Sequence, residues 1–551
     1  MNLNKPIIVA MMLTSLISTS CSLKQKADVI IKNAKIYTVD NNFTVVQGAA
    51  IIDGVFVAVG PDATINAQYY SDKVIDLKGK YVYPGFIDPH CHFYGYGMTL
   101  TQVDLRGCQS YQEVAERCQK HYKIYGGKWI TGRGWDQNLW ETKEFPDKAL
   151  LDQLFPDIPV ILRRIDGHAA IANSAALKIA GIDAETKIHG GNQLIKNNEP
   201  SGLLIDKMVD LVLSFVPEPT PEEETAGLLA AQQNCFAVGL TSVGDAGLPK
   251  ETVLLIDKLN KSNRLKTRIY AMLEPSQENI EHFVKKGFYQ TNQLHVRSIK
   301  LYADGALGSR GAALLEPYAD DPENSGIIVE PIDSLKAWCN LAHQYNYQVN
   351  THCIGDSANR IILNIYGDIL KGKNDRRWRI EHAQVVNKAD VKLFKQHQII
   401  PSIQTTHCTS DMAWAPDRLG PKRISDAYIW QDLLNQNNWL INGSDFPIED
   451  INPLYGFFSA IARTDFNGNP KGGFYPKQKL SRVQTLKSMT IWAAQGQFEE
   501  MVKGSIEKGK YADFVVTEHD IMSIPELEIP NLTIEQTWIG GELVYSNANQ
   551  P

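Results

Sequence analysis

Two histidines separated by a single residue stand at the end of an apolar run in the segment YPGFIDPHCHFYGYG, residues 83–97. Side chains two residues apart on a β-strand point to the same face. The imidazoles of His90 and His92 can therefore reach one ion while Cys91 points away. One such pair is weak evidence, because polar residues are common at strand ends. Its meaning depends on which other metal-binding side chains the fold brings close.

Four more side chains suited to a metal site follow at comparable places. His352 ends the run YQVNTH, His382 ends RWRIEH, and Asp445 closes WLINGSD. Lys300 lies inside the run RSIKLYADG. Imidazoles and carboxylates are the ligands that zinc and related divalent cations take. An HxH pair combined with two separate histidines and an aspartate is specific, and it predicts a metal centre.

The runs that carry these residues read as short strands separated by helical stretches such as PEEETAGLLAAQQNCFAVG. Alternating strands and helices predict βα units and a parallel sheet, and eight strands predict an α/β fold of the (β/α)8 TIM-barrel type. Reactive side chains of such barrels gather at the carboxyl ends of the strands. The predicted strands lie within residues 81–90, 240–247, 267–273, 297–305, 347–356, 377–384, 399–407 and 439–447.

Both ends of the chain read as strands and predict one small β domain that they build together. Asp53-Gly54 and Gly540-Gly541 each stand between apolar runs, which is a strong hairpin signal. One middle stretch is longer than a single βα unit needs and indicates an insertion after the first strand. The predicted divisions are residues 28–82 and 486–551 for the β domain, 83–485 for the barrel, and about 105–215 for the insertion.

Composition narrows the class of protein. The chain has 551 residues, of which 43% are hydrophobic, and a formal net charge of −7. It can therefore bury a large core. A protein that binds nucleic acid is expected to carry a basic patch, and the mild acidity of this chain gives no sign of one.

The first 21 residues differ in character from the rest. Lys5 precedes the short apolar run PIIVAMMLTSLISTSC, which ends in small residues and Cys21. The pattern is typical of a signal peptide, and its end resembles a bacterial lipoprotein box in which Cys21 carries the lipid. It predicts export to the bacterial cell envelope and a lipid anchor in a membrane, on the periplasmic or the outer surface. An ordinary cleaved signal with an incidental cysteine is the alternative.

Five segments together resemble the metal-dependent amidohydrolase superfamily: GFIDPHCH, KLYADGALGSRGAAL, NTHCIGD, RIEHAQ and GSDFPI. Within it they resemble the branch that includes N-substituted formamide deformylases. The likeness extends from about residue 28 to the end of the chain. It implies a (β/α)8 barrel with a β-sandwich made from both chain ends.

The resemblance also implies two metal ions. Zinc is expected, because nitrogen and oxygen ligands suit it and it has no redox chemistry, although iron, manganese or nickel would accept the same ligands. A site with one ion is the alternative. The more buried ion would be bound by His90, His92 and Asp445, and the second by His352 and His382.

The resemblance gives Lys300 and Asp445 further roles. Lys300 would be carboxylated on its amine and bridge the ions; an ordinary ammonium paired with a carboxylate such as Asp304 is the alternative. A metal-bound water of lowered pKa would attack a carbonyl carbon. Asp445 would take the proton of that water and pass it to the departing nitrogen.

Five other residues are candidates for contact with the substrate. His168, in the insertion, would bind the substrate carbonyl or stabilise an oxyanion, unless it only begins a helix. Asp304 and Arg310 would shape the pocket, hold an anionic group, or pair with each other. His407 ends the seventh strand, and Trp135 would line the entrance, unless it only packs. The remaining histidines are expected in solvent or at the surface: His121, His189, His282, His295, His343, His397 and His519.

These observations predict a metal-dependent hydrolase of carbon–nitrogen bonds other than peptide bonds, with a small amide or N-substituted formamide as substrate. A cyclic amide, an ester or a deamination would suit the same ligands. A lipoprotein that binds a solute without turnover is the alternative from another class. Association into a homo-oligomer is left open.

Overall fold

A parallel barrel forms the centre of the computed structural model, which describes residues 24–164, 169–188, 191–308 and 310–549. Its eight strands are hydrogen-bonded in the order in which they occur along the chain, and neighbouring strands are parallel. The predicted (β/α)8 barrel is therefore confirmed. The strands are β1 (Phe86–Cys91), β2 (Leu240–Leu248), β3 (Arg268–Leu273), β4 (Leu294–Tyr302), β5 (Gln348–Cys353), β6 (Arg379–His382), β7 (Ile400–Gln404) and β8 (Ile441–Gly443).

The first and last strands are joined by backbone hydrogen bonds at and just beyond their carboxyl ends. The N–H of Asp445 donates to the carbonyl of His90 at 2.8 Å, and the N–H of His92 donates to the carbonyl of Phe446 at 2.8 Å. The seam of the barrel is thus closed by the segments that carry the HxH pair and the aspartate.

Helices cover the outside of the barrel. The helix Pro221–Ala237 shows why they form where they do: Thr220 accepts from the N–H of Glu223, the Glu223 side chain accepts in return, and proline opens the first turn. Among the described residues, none of the helices has the length and apolar character needed to cross a bilayer. The helices are Phe93–Leu100, Pro221–Ala237, Lys250–Lys261, Gln277–His282, Ile332–Gln344, Asp356–Leu370, Val391–His397, Thr405–Asp411, Ala415–Arg423, Trp430–Asn437, Pro453–Ala462, Arg482–Ser488 and Ile491–Gly496.

Two antiparallel-rich sheets form a sandwich from both ends of the chain. Both predicted hairpins are present, and their turn residues Asp53, Gly54, Gly540 and Gly541 have the positive φ that a two-residue turn requires. One sheet has the order Val55–Gly60, Gly48–Ile52, Val29–Lys32, Val74–Asp76, and the other Glu542–Ser546, Ile534–Ile539, Phe514–Thr517, Tyr81–Pro84, Lys35–Tyr37, Val45–Val46.

The sandwich core is apolar. Phe514 and Trp538 stack with ring centroids 5.3 Å apart, and Phe56 lies 6.1 Å from Phe514. Val29 and Ile31 of the other sheet pack into the same cluster. The two sheets are therefore held together by buried hydrocarbon and aromatic surface.

The insertion between β1 and β2 has a sheet and hydrophobic clusters of its own. The side chain of Asn173 caps a helix, and it also accepts from the N–H of Val160 at 2.9 Å, which ties the helix to the sheet. The sheet has the order Val103–Asp104, Ile130–Trp135, Val160–Arg164, Ala169–Ala172, Glu199–Asp206, Gly191–Lys196. The helices are Tyr111–Tyr125, Ala149–Leu154, Ser174–Ile179 and Lys207–Leu213.

Candidate metal centre

The carboxylate of Asp445 is the meeting point of three histidines at the carboxyl end of the barrel. Its Oδ1 lies 3.3 Å from Nε2 of His90 and 3.2 Å from Nε2 of His92, and its Oδ2 lies 3.5 Å from Nε2 of His407. Burial alone would raise the pKa of the Asp445 carboxyl, but the neighbouring imidazoles hold it well below its usual range. Asp445 is therefore ionised at neutral pH.

Two overlapping groups of side chains have the spacing of a metal site. Asp445 belongs to both groups, with its partners placed so that the ligand atoms lie within 4.8 Å of one another. Histidine nitrogens and a carboxylate are a donor set that zinc and similar cations accept. The groups are His90, His92 and Asp445, and His382, His407 and Asp445.

His352 lies beside the second group. Its ring centroid is 4.5 Å from that of His382, and its Nε2 is 3.7 Å from Oδ1 of Asp304. Burial lowers the pKa of His352 to about 3, and the nearby Lys300 adds to this. Burial likewise holds the pKa of His382 well below its usual range. Both imidazoles are neutral at pH 7, as metal binding requires.

Several buried atoms at this site have no hydrogen-bond partner in the described part of the chain. They are Nε2 of His352, Nδ1 of His382 and Oδ1 of Asp445. Buried polar atoms are nearly always satisfied, and leaving one unpaired costs about 1–3 kcal/mol. A cation bound among these atoms would satisfy them, so the residues present fit a divalent metal.

The local backbone conformation orients two of these side chains towards the site. His382 and Asp445 adopt left-handed conformations, with φ of 72° and 64°. Alternation along β6 would place Glu381 and His382 on opposite faces. The turn at His382 instead brings its ring within 5.0 Å of the His90 ring, which Glu381 also contacts. Strain of this kind is common at functional sites.

Lys300 lies inside the barrel, 1% exposed, with its Nζ 3.1 Å from Nε2 of His90. Burial lowers its pKa to about 8, against the opposing attraction of Glu381 and Asp445. The carboxylate suggested as its partner, Asp304, instead accepts backbone N–H groups of Ala313, Ile354 and Gly355. A lysine with a lowered pKa exchanges readily with its neutral amine form.

A carboxylate that the sequence reasoning missed supports His90 from behind. Glu381 accepts from Nδ1 of His90, from Oγ of Ser402 at 2.6 Å and from Nε of Arg379 at 2.5 Å. A histidine that donates through Nδ1 presents the lone pair of Nε2 to a metal. Its place directly before His382 in the segment RIEHAQ was the available signal.

Asp88 is a second missed residue, and it links β1 to β8. Its carboxylate accepts from the N–H of His90 at 3.1 Å, and from the N–H and Oγ of Ser444 at 3.0 and 2.6 Å. Burial raises the pKa of Asp88 to about 6. It therefore fixes the backbone on both sides of the seam, next to His90 and Asp445.

Comparison with known proteins identifies the family. Residues 73–545 match the model of the amidohydrolase family, Amidohydro_3. The chain belongs to the amidohydrolase family. The resemblance read from the motifs is confirmed, and the protein is a hydrolase.

Individual relatives of this amidohydrolase cover nearly its full length. The protein LONG AFTER FAR-RED 3 of Arabidopsis thaliana is 32% identical over 540 residues, which are 94% of this chain and 92% of the relative. An N-substituted formamide deformylase of Arthrobacter pascens is 23% identical, covering 95% and 99%. The crystal structure of an uncharacterized metal-dependent hydrolase from Pyrococcus furiosus superposes with a TM-score of 0.76 at 27% identity, covering 90% of this chain and all of that one.

The structure excludes one of the alternatives predicted for each of two residues of this amidohydrolase. Trp135 is fully buried in the core of the insertion, where its indole N–H donates to the carbonyl of Leu162 at 2.7 Å, so it does not line an entrance. Arg310 does not pair with Asp304. Both its Nε and Nη2 donate to the carboxylate of Asp320, at 3.1 and 2.9 Å.

Among the remaining predicted residues, His407 lies at the metal centre. His407 contacts Asp445 and also Glu449, whose Oε1 is 3.1 Å from its Nδ1. Burial opposes protonation, but these carboxylates raise the pKa of His407 to about 10, so its imidazole would have to lose a proton before it could bind a metal. His295, expected at the surface, is only 2% exposed. His168, His189 and Cys21 lie outside the described residues.

Proposed function

We propose that this amidohydrolase cleaves carbon–nitrogen bonds of small amides, with N-substituted formamides as the leading substrate class. The observation that carries the proposal is the ionised carboxylate of Asp445, which lies among three imidazoles. Beside it are nitrogens of His352 and His382 that have no hydrogen-bond partner among the described residues. A protein that only binds a solute has no need of such a carboxylate. The relative that is an N-substituted formamide deformylase supports the substrate class.

The chain's own residues supply the proton transfers. A divalent cation held by the histidines and Asp445 would lower the pKa of a bound water to about 7 and polarise the substrate carbonyl. Asp445 accepts the proton that the attacking water loses, and then donates it to the nitrogen that departs. His407, on the opposite carboxylate oxygen, orients Asp445 for both transfers.

Lys300 is proposed to carry a carbamate. Its amine is buried, its pKa is lowered to about 8, and it lies against His90. A neutral amine can add carbon dioxide, and the resulting anion would be stabilised by two cations. Zinc is the proposed ion, since the nitrogen and oxygen ligands suit it.

Metal content measured together with a panel of substrates tests the proposal. We expect the purified protein to contain a divalent metal and to hydrolyse at least one N-formyl or N-acyl amine. A chelator should remove this activity, and added zinc should restore it. Metal-replete protein that is inactive on the amides but acts on cyclic amides, esters or aminopurines would replace the substrate class. Inactivity on every compound would favour a binding protein.

We also propose that Cys21 anchors the protein to the bacterial envelope. The support is the run after Lys5 that ends in small residues before Cys21. We expect Cys21→Ser to move the protein from the membrane fraction to the soluble fraction. Continued association of that variant with membranes would contradict the anchor.

A further inference from the structure

A surface cavity of about 320 Å³ lies at the opposite end of the barrel from the metal centre. Most of its lining comes from segments at or before the amino ends of β4, β5 and β6, whereas the metal centre lies at the carboxyl ends. Pockets of this volume commonly hold small molecules. The lining residues are Phe288, Arg297, Asn346, Asp375, Arg376 and Phe498.

Arg297 forms the base of this cavity between two aromatic rings. Its guanidinium carbon lies 4.2 Å from the ring centroid of Phe288 and 3.6 Å from that of Phe498. Within the described chain it makes no ion pair, and its buried Nε has no hydrogen-bond partner. The rings hold the guanidinium in place, and the N–H groups on its two Nη atoms, which have no partner in the described chain, are left available.

Charge around the cavity is unbalanced. Arg377 is already neutralised, since it pairs with Asp375 at 2.9 Å and with both oxygens of Glu500 at 2.9 Å. Arg376 donates to the side-chain oxygen of Asn346, a neutral group. The three guanidinium groups of Arg297, Arg376 and Arg377 therefore exceed the carboxylates of Asp375 and Glu500 by one positive charge, and neither Arg297 nor Arg376 forms an ion pair within the described chain.

Phe498, one of the two rings, has an unusual backbone conformation. Phe498 follows the helix Ile491–Gly496 in a left-handed conformation, with φ of 60°. Glycine or asparagine is common at this place, and a bulky residue is disfavoured there. The phenyl side chain nevertheless occupies it and covers both Arg297 and Arg377. Asn346, across the cavity, is also left-handed, with φ of 62°.

We propose that this cavity binds a small organic carboxylate, whose oxygens meet Arg297 and Arg376 and whose hydrocarbon body lies against the exposed ring of Phe288. Guanidinium groups recognise carboxylates through paired N–H donors. Phe288 is 44% exposed and offers the apolar wall. The proposal is independent of the reaction at the metal centre.

Calorimetric titration of the metal-replete enzyme with benzoate tests the proposal. We expect saturable binding of one benzoate at this cavity and no comparable binding of benzyl alcohol, which lacks the charge. Arg297→Gln should weaken binding about tenfold, and Arg376→Gln somewhat less, because each removes charge-assisted hydrogen bonds. Arg264→Gln, at an exposed arginine elsewhere on the barrel, is the matched control and should bind as the parent does.

The variants also distinguish benzoate binding at this cavity from benzoate binding at the metal centre. Benzoate held by the metal ions would bind equally to Arg297→Gln, Arg376→Gln and the parent enzyme, and that result would overturn the proposal. Equal binding of benzyl alcohol would do the same. Binding of inorganic phosphate without benzoate would overturn the commitment to an organic carboxylate. Should Arg297→Gln fail to fold, Arg376→Gln, at the cavity rim, decides the test.

Discussion

The inside of the barrel and the inside of the sandwich are built from opposite kinds of side chain. The sandwich core contains Val29, Ile31, Phe56, Phe514 and Trp538. Facing the barrel axis below the metal centre are polar residues, which include Gln348, Asn350, Arg379, Glu381 and Ser402, all fully buried. The interiors of such barrels are usually filled by branched hydrocarbon side chains.

The contrast shows that two regions of one chain have different tasks: the sandwich is built for stability, and the barrel interior is built to position the residues of the site. The sandwich gains free energy from apolar burial, at roughly 25 cal/mol per Å². The barrel takes its apolar burial from the layer between strands and helices. Its interior contains hydrogen bonds that orient the candidate metal ligands, as where Glu381 accepts from His90, Arg379 and Ser402.

The substitution Asp445→Asn is expected to have the largest effect on the function of the barrel interior while leaving the sandwich unchanged. An amide cannot accept and return the proton, so we expect turnover to fall by about three to five orders of magnitude. The free energy of unfolding should change far less. Steady-state kinetics and metal analysis provide the test. Asp368→Asn, at an exposed helical site, is the control, and near-normal turnover by Asp445→Asn would remove this residue from proton transfer.

Glu381→Gln tests the buried hydrogen bonds that Glu381 makes with His90, Arg379 and Ser402 below the metal centre. It leaves the buried guanidinium of Arg379 without a counter-charge, so we expect the free energy of unfolding to fall by about 3–5 kcal/mol. Metal affinity should fall about 10- to 100-fold, because His90 loses the partner that orients it. Denaturant unfolding and metal titration measure the two effects. Glu500→Gln, in the partly exposed pair with Arg377, should cost about 1 kcal/mol or less, because Arg377 keeps Asp375 as a counter-charge. Equal losses for both variants would contradict a special role of the interior.

Trp538→Ala tests the sandwich in the same way. Removal of a buried indole that stacks on Phe514 should lower the free energy of unfolding by about 3–4 kcal/mol. Turnover per folded molecule should stay within about twofold, since the site is built by the barrel. Leu543→Ala, on the next strand and 38% exposed, is the control and should cost much less. A large fall in the turnover of folded Trp538→Ala would show that the sandwich also contributes to activity at the barrel site.

His295, on barrel strand β4, is expected to make the stability of the barrel depend on pH. Burial lowers its pKa to about 4, whereas the unfolded chain has a value near 6.5. The unfolded state therefore binds a proton first, so stability is complete above about pH 7 and falls as the pH drops towards 4. At pH 5 the loss amounts to about 2 kcal/mol.

His295→Gln should remove that part of the pH dependence, and denaturant unfolding between pH 7 and pH 5 measures it. His519→Gln, at an exposed histidine, should leave the dependence unchanged. An identical pH slope in His295→Gln and the parent would show that His295 does not contribute.

The sequence was sufficient to predict the elements but not every contact. All eight barrel strands and both hairpins could be predicted, because each has a local pattern of apolar residues and turn residues. Glu381 could not be assigned, because alternation placed it on the face opposite His382 until the left-handed backbone was known. The burial of Trp135 and the pairing of Arg310 with Asp320 depend on tertiary contacts that no local pattern encodes.

The seam between β1 and β8 has a consequence for how the protein matures. Hydrogen bonds there join His90 and His92, near the start of the chain, to Asp445 and Phe446, more than three hundred residues later. A growing polypeptide still on the ribosome has the first two imidazoles but not the carboxylate they share. A cation held by His90, His92 and Asp445 would therefore bind only after nearly the whole polypeptide has been synthesised, and a fragment that stops before β8 would have neither a closed barrel nor the Asp445 carboxylate.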